Sequence, residues 1–121
     1  MGKLLIIVCE APFQSEQVNY ALKIAERALE KGHGVSFFIT MDGIYNLITT
    51  QKGKALQIKP IVERFKELMV KGARIICCKL CMELRGVEKS MIPEEVTVGE
   101  LSDLRNEIQE ADCVLSFTGR K

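Results

Sequence analysis

Tryptophan is absent and aromatic residues make up only 6% of the 121 residues, so the stacking platforms that hold single-stranded nucleic acid are missing. Charge of one sign is missing too. Seventeen Lys and Arg stand against sixteen Asp and Glu, a formal +1, which offers phosphate backbones no basic field and leaves no single-sign tail. The opening apolar run, Leu4 to Cys9, stops at Glu10 after six residues, short of a membrane span or a signal-peptide core. Ile6 stands where N-myristoylation at Gly2 needs Ser or Thr. These absences lead to the expectation of a cytoplasmic protein with no direct nucleic-acid or membrane partner.

Catalytic signatures are equally sparse. There is one histidine, His33, in the turn Gly32-His33-Gly34, expected to be exposed and structural at the sheet end opposite the strand C-termini. No Ser/His/Asp set, G-x-G-x-x-G or P-loop occurs, so hydrolase, dinucleotide and nucleoside-triphosphate readings have no support. Five cysteines, an odd number, argue for reduced thiols and against a disulfide framework.

What remains is ordinary for one soluble domain: 47% apolar and 27% charged residues over positions 1–121. Apolar runs predict strands at 3–9, 35–40, 74–77 and 113–117, with a short one at 95–98. Helical spacing in Val18, Ala21, Leu22, Ala25, Ala28 and Leu29, behind a Ser15 cap, predicts a helix ended by Gly32. Pro60 opens a second helix to about residue 71, with Ile61, Phe65, Leu68 and Met69 on one face and Gly72 as its stop. One or two helical turns follow at 81–84, ended by Gly86. The last helix covers 99–111, with Leu101, Leu104 and Ile108 expected inward. Strands alternating with helix-length crossovers imply right-handed βαβ units in a mostly parallel sheet, an α/β architecture.

In such sheets sites form beyond the carboxyl ends of the strands. Residues 10–15, 40–45, 78–81 and those after Phe117 lie there, which makes Glu10, Ser15, Glu16, Asp42 and Gly43 rim candidates. Cys78-Lys79-Leu80-Cys81 is the chemically richest of these segments. Cys78 ends a strand before a helix, where free N–H groups favour a thiolate, and Arg85 can fold back over it. If the intervening turn is helical, Cys81 shares its face, with Cα atoms roughly 5 Å apart, within disulfide range. A zinc site lacks support: no second C-x-x-C or His pair accompanies the first, and Cys77 points away from Cys78 by strand alternation. Cys9 and Cys113 are expected to be buried strand residues.

The segment Cys78-Lys-Leu-Cys-Met-Glu-Leu-Arg-Gly86 resembles the active-cysteine segment of the DsrE/DsrF/DsrH and TusB/TusC/TusD sulfur-relay proteins, in which a cysteine precedes a glycine by eight residues, often with Arg before the glycine. The opening strand, Ala21-Leu22-Lys23-Ile24-Ala25, Gly32-His33-Gly34-Val35, Asp42-Gly43-Ile44 and Glu110-Ala111-Asp112 extend the likeness. The resemblance implies a single DsrE/DsrF-like domain, a three-layer α/β/α sandwich of about five strands. It further implies homotrimers or homohexamers, protein sulfur donors and acceptors, no cofactor, and a sulfurtransferase or carrier role with sulfane sulfur held as a persulfide on Cys78. Cys81 departs from the small residue found there in TusD-type members. A second thiol can discharge the persulfide as sulfide, so a dithiol redox module using Cys78 and Cys81 is an alternative. The third reading is a non-enzymatic module binding a ligand or partner at the same edge.

Overall fold

The computed structural model describes residues 1–118; residues 119–121, part of the segment after Phe117 expected at the strand ends, lie outside them. Strands β1 (Lys3–Val8), β2 (Gly34–Ile39), β3 (Arg74–Cys78), β4 (Thr97–Gly99) and β5 (Cys113–Phe117) form one sheet in the order β4-β3-β2-β1-β5. All of its pairings are parallel. The apolar runs that predicted β1, β2 and β3 are buried on both faces. Ile6 lies beside Phe37 on one side and Leu115 on the other, and Phe37 lies beside Ile75.

Helices α1 (Gln17–Glu30), α2 (Ile61–Val70), α3 (Lys79–Leu84) and α4 (Leu101–Glu110) complete the fold, with a 3-10 helix at Met41–Leu47 after β2. Neighbouring strand residues point to opposite faces, and this assigns the layers. Ile75 shares a row with Phe37, whose ring meets Phe65 of α2 edge-on at 5.1 Å. Arg74, one residue earlier, reaches Glu107 of α4 at 2.7 Å. Helices α2 and α4 therefore cover opposite faces, and the molecule is a three-layer α/β/α sandwich. Phe37 and Phe65 are fully buried; each contributes about 1.5–3 kcal/mol by leaving water.

Three expectations change here. On α4, Leu101 and Ile108 are exposed (68% and 45%), Leu104 is half-buried, and the inward residue is Glu107, 6% exposed. The face that α4 covers presents Arg74, so a carboxylate pairs where the apolar spacing predicted aliphatic side chains. Second, Cys113 is exposed and Cys9 half-buried. Strand β5 is a sheet edge, so Cys113 lacks the cover a central strand would give it. Third, His33 is half-buried, and its Nδ1 accepts the Gly2 N–H at 3.0 Å, which ties the start of β1 to the α1–β2 turn.

Smaller differences concern ends. Strand β4 begins at Thr97, and α3 begins at Lys79, directly after β3. The Ser15 hydroxyl accepts the Gln17 N–H at 3.2 Å, while Glu16 occupies the N-cap of α1. Among the described residues no helix is long and apolar enough to cross a membrane.

Candidate functional site

The end of β3 passes into α3 with no intervening loop, because Cys78 is at once the last strand residue and the helix N-cap. Gly86, at φ +70°, follows α3 in the left-handed conformation that glycine adopts most easily. This short helix sets Cys81 three residues beyond Cys78 on the same side, facing the end of β2. Both thiols are buried, at 4% and 6% exposure. Cys77 points the other way, and burial first, then the neighbouring Cys78 and Cys81 sulfurs, push its thiol up to about 12.

The hydrogen bonds at the pair favour Cys81. Its Sγ accepts the Met41 backbone N–H at 3.1 Å and lies 3.2 Å from the Thr40 hydroxyl. Burial by itself raises the Cys81 pKa. Donation by Thr40, by the Met41 N–H and by the Cys78 thiol, with the Arg85 charge, outweighs it, and the pKa lies below the ordinary thiol value. Cys78, by contrast, makes no side-chain bond to the free N–H groups of α3, which is only six residues long. The donors anticipated from a helix terminus thus come from the β2 end, and they act on the second cysteine.

Met41 makes this donor available through its backbone. Its φ of +52° is a left-handed value that a non-glycine residue adopts at a cost of about 1–2 kcal/mol. Such outliers persist where surrounding structure holds them and concentrate at functional sites. Here Thr40 N–H is bound to Val8 O at 3.0 Å, and Gly43 N–H closes onto Thr40 O at 2.9 Å. The turn is anchored on both sides of Met41.

Arg85 follows α3 and folds back. Its Nε donates to Asp42 Oδ1 at 2.9 Å and its Nη1 to the Cys81 carbonyl at 3.4 Å. Arg85 is half-buried, Asp42 exposed. Two of the anticipated rim residues are therefore joined directly above the cysteine pair. Glu10 is buried at the end of β1, and its carbonyl accepts Asn46 Nδ2 at 2.8 Å. Its carboxylate, after burial and the Cys81 sulfur, helps raise the Cys9 pKa. Ser15 is occupied at the start of α1. On its other side Cys78 lines a cleft of about 450 Å³ with Lys79, Leu80, Glu83, Glu100, Leu101 and Ser102.

Thr40 and Met41 lie in the 40–45 segment expected at this edge, but their part in the site carries no sequence signature. Thr40 reads as the last residue of a β-rich run, and a backbone N–H carries no residue-type signature. Asp42-Gly43 is the only local hint, since that pair marks a turn at the strand end. Replacing Thr40 by valine keeps the shape and removes the hydroxyl. Alkylation of Cys81 at about pH 7 is expected to slow roughly 5- to 10-fold, because a hydrogen bond to a charged group is lost. The Cys81 pKa rises, so the difference closes at high pH, where both proteins are ionised. A pH profile of the alkylation rate checks this.

Comparison with known proteins agrees with the fold. The profile of the DsrE/DsrF-like family matches residues 2–117. An uncharacterized protein of Methanopyrus kandleri is 29% identical over 94% of this chain and 93% of its own. Protein YchN of Escherichia coli is 28% identical over 97% of this chain and the whole of its own. The crystal structure of the E. coli YchN protein superposes with a TM-score of 0.87 at 25% identity, covering 97% of this chain and 100% of that one. A protein of unknown function from Methanobacterium thermoautotrophicum shares the fold, with a TM-score of 0.77 at 12% identity over 96% of this chain and 99% of its own. The chain belongs to the DsrE/DsrF-like family.

Proposed function

We propose that this protein is a thiol-based carrier of sulfane sulfur, a persulfide sulfurtransferase acting with protein donors and acceptors, and that Cys81 is the thiolate that accepts the sulfur. The observation that carries this reading is the convergence of Met41 N–H and the Thr40 hydroxyl on Cys81 Sγ, at 3.1 and 3.2 Å. The resemblance places the sulfur on Cys78; the hydrogen bonds favour its neighbour, and Cys78 becomes the second thiol of the pair. The Cys81 thiolate attacks the outer sulfur of a donor persulfide, R–S–SH. A Cys81–S–SH bond forms, the donor S–S bond breaks, and R–S⁻ leaves. No oxidant is consumed, because sulfane sulfur moves between two thiolates.

A second reading rests on the Cys78 thiol, buried like Cys81 and three residues before it at the N-cap of α3. Deprotonated, Cys78 attacks the inner sulfur of the Cys81 persulfide. The Cys78–Cys81 disulfide forms and HS⁻ departs, which converts storage into release. Intact-mass measurement after incubation with polysulfide separates the two. A carrier gains about 32 Da per sulfur and keeps it until an acceptor thiol is added. A releasing dithiol instead loses two hydrogens and liberates sulfide. No change in mass would remove both readings and leave a binding module.

A further inference from the structure

We propose that Arg85, aimed by Asp42, holds the terminal sulfur of a Cys81 persulfide, and that Asp42 is the positioning residue for that interaction. The inference rests on the carrier reading above. It begins from where charge sits before and after sulfur is added. When Cys81 ionises in the unloaded protein, the negative charge is on its Sγ, where Met41 N–H and the Thr40 hydroxyl meet it. In an ionised persulfide the charge is carried by the terminal sulfur, one S–S bond of about 2.05 Å farther out. The Thr40 and Met41 donors then face a neutral inner sulfur, and the charge needs a new partner.

Arg85 is placed to be that partner. Its guanidinium is near enough to act on the Cys81 charge, yet its hydrogen bonds go to Asp42 Oδ1 and to the Cys81 carbonyl, not to Sγ. A guanidinium carries five N–H donors in a planar fork. Those outside the two bonds have no partner among the described residues. The Nη1 bond to the carbonyl of Cys81 itself holds the fork beside the residue that carries the sulfur. The Asp42 bond to Nε fixes the plane of the fork, and the Met41 turn that supplies the donor to Sγ also sets Asp42 in place. One loop thus serves both charge positions.

Glu10, another charged side chain at the strand ends, is buried and has no hydrogen bond to Arg85. It does not compete with a sulfur anion for the guanidinium. Lys79, exposed beside Cys78 on the cleft side, carries a point charge without the fork and is a weaker match for a fixed anion.

The test compares the persulfide with the thiolate. Wild type, Asp42→Asn, Asp42→Glu, Arg85→Gln, Arg85→Lys and Thr40→Val proteins are loaded with polysulfide. Persulfide half-life is then followed by intact mass, and thiol ionisation by ultraviolet absorbance. Asp42→Asn is expected to shorten the half-life about 3- to 10-fold, as befits a half-exposed charged hydrogen bond, with little change in thiol ionisation. Arg85→Gln shortens it at least as much; Asp42→Glu and Arg85→Lys recover part of it. Thr40→Val shows the reverse pattern, with thiol ionisation changed more than half-life. Wild-type half-lives in Asp42→Asn and Arg85→Gln, in folded proteins that do load sulfur, overturn the inference alone. Failure of the wild type to load overturns the carrier reading and this inference with it.

Discussion

Cys81→Ser is expected to lower polysulfide loading at about pH 7 by at least roughly 100-fold, while Cys78→Ser loads and holds its sulfur longer than the wild type. Serine preserves size and polarity but supplies no thiolate at neutral pH. In Cys81→Ser the Thr40 and Met41 donors still converge, now on a hydroxyl, so the cradle remains and the nucleophile is gone. In Cys78→Ser the cradle and Arg85 are untouched. The thiol that could attack the inner sulfur is lost, so the persulfide has no intramolecular route to a disulfide. The Cys78 thiol also helps to lower the Cys81 pKa. A serine hydroxyl can take over part of that effect, so the loading rate falls modestly, by about 2- to 3-fold. Intact-mass time courses of the two variants report this directly.

The second large effect comes from a residue with no chemistry of its own. A Cβ at Gly43 would clash with Val8 O and lie 3.3 Å from Cys9 Cα. Both neighbours are backbone at the end of β1, and neither can swing aside like a side chain. Gly43→Ala therefore has to push the 3-10 helix away from the sheet. The expected cost is about 2–3 kcal/mol, a fall in Tm of roughly 10 °C for a domain of this size. Because Gly43 N–H closes the turn onto Thr40 O, the displacement also moves Met41 N–H from Cys81. The variant is expected to lose sulfur loading below its melting temperature, with a raised Cys81 pKa. Calorimetry beside loading assays checks both. Undiminished loading in a stable Gly43→Ala protein would detach the turn from the site.

Much of this fold could be read from apolar spacing. Three central strands announce themselves as mostly apolar runs, with Ser36 inside β2 and cysteines closing β3, because both of their faces are covered. Helices α1 and α2 show a single apolar stripe for the same reason. Where the pattern misled, a specific partner was responsible. Helix α4 turns Glu107 inward because Arg74 waits on β3, a contact between residues 33 positions apart. Cys113 is exposed because β5 is an edge, and strand order cannot be read from one strand's composition.

The site was half legible in the same sense. The C-x-x-C pair, Arg85 and Asp42 are visible as residue types at a sheet end. The donor to Cys81 Sγ is a backbone N–H at a left-handed Met41, and nothing in the sequence marks that conformation. Local reasoning favoured Cys78, because a helix start is the donor that sequence can reveal. The tertiary contact with the end of β2 shifts the emphasis to Cys81.

Of the two thiols, Cys81 is the one expected to ionise more readily. Thiolate absorbance followed against pH in wild type, Cys78→Ser and Cys81→Ser decides it most directly. The account predicts an ionisation below the ordinary thiol range in wild type and in Cys78→Ser, and its loss in Cys81→Ser. A low-pH ionisation that survives in Cys81→Ser and vanishes in Cys78→Ser would contradict it and return the sulfur to Cys78.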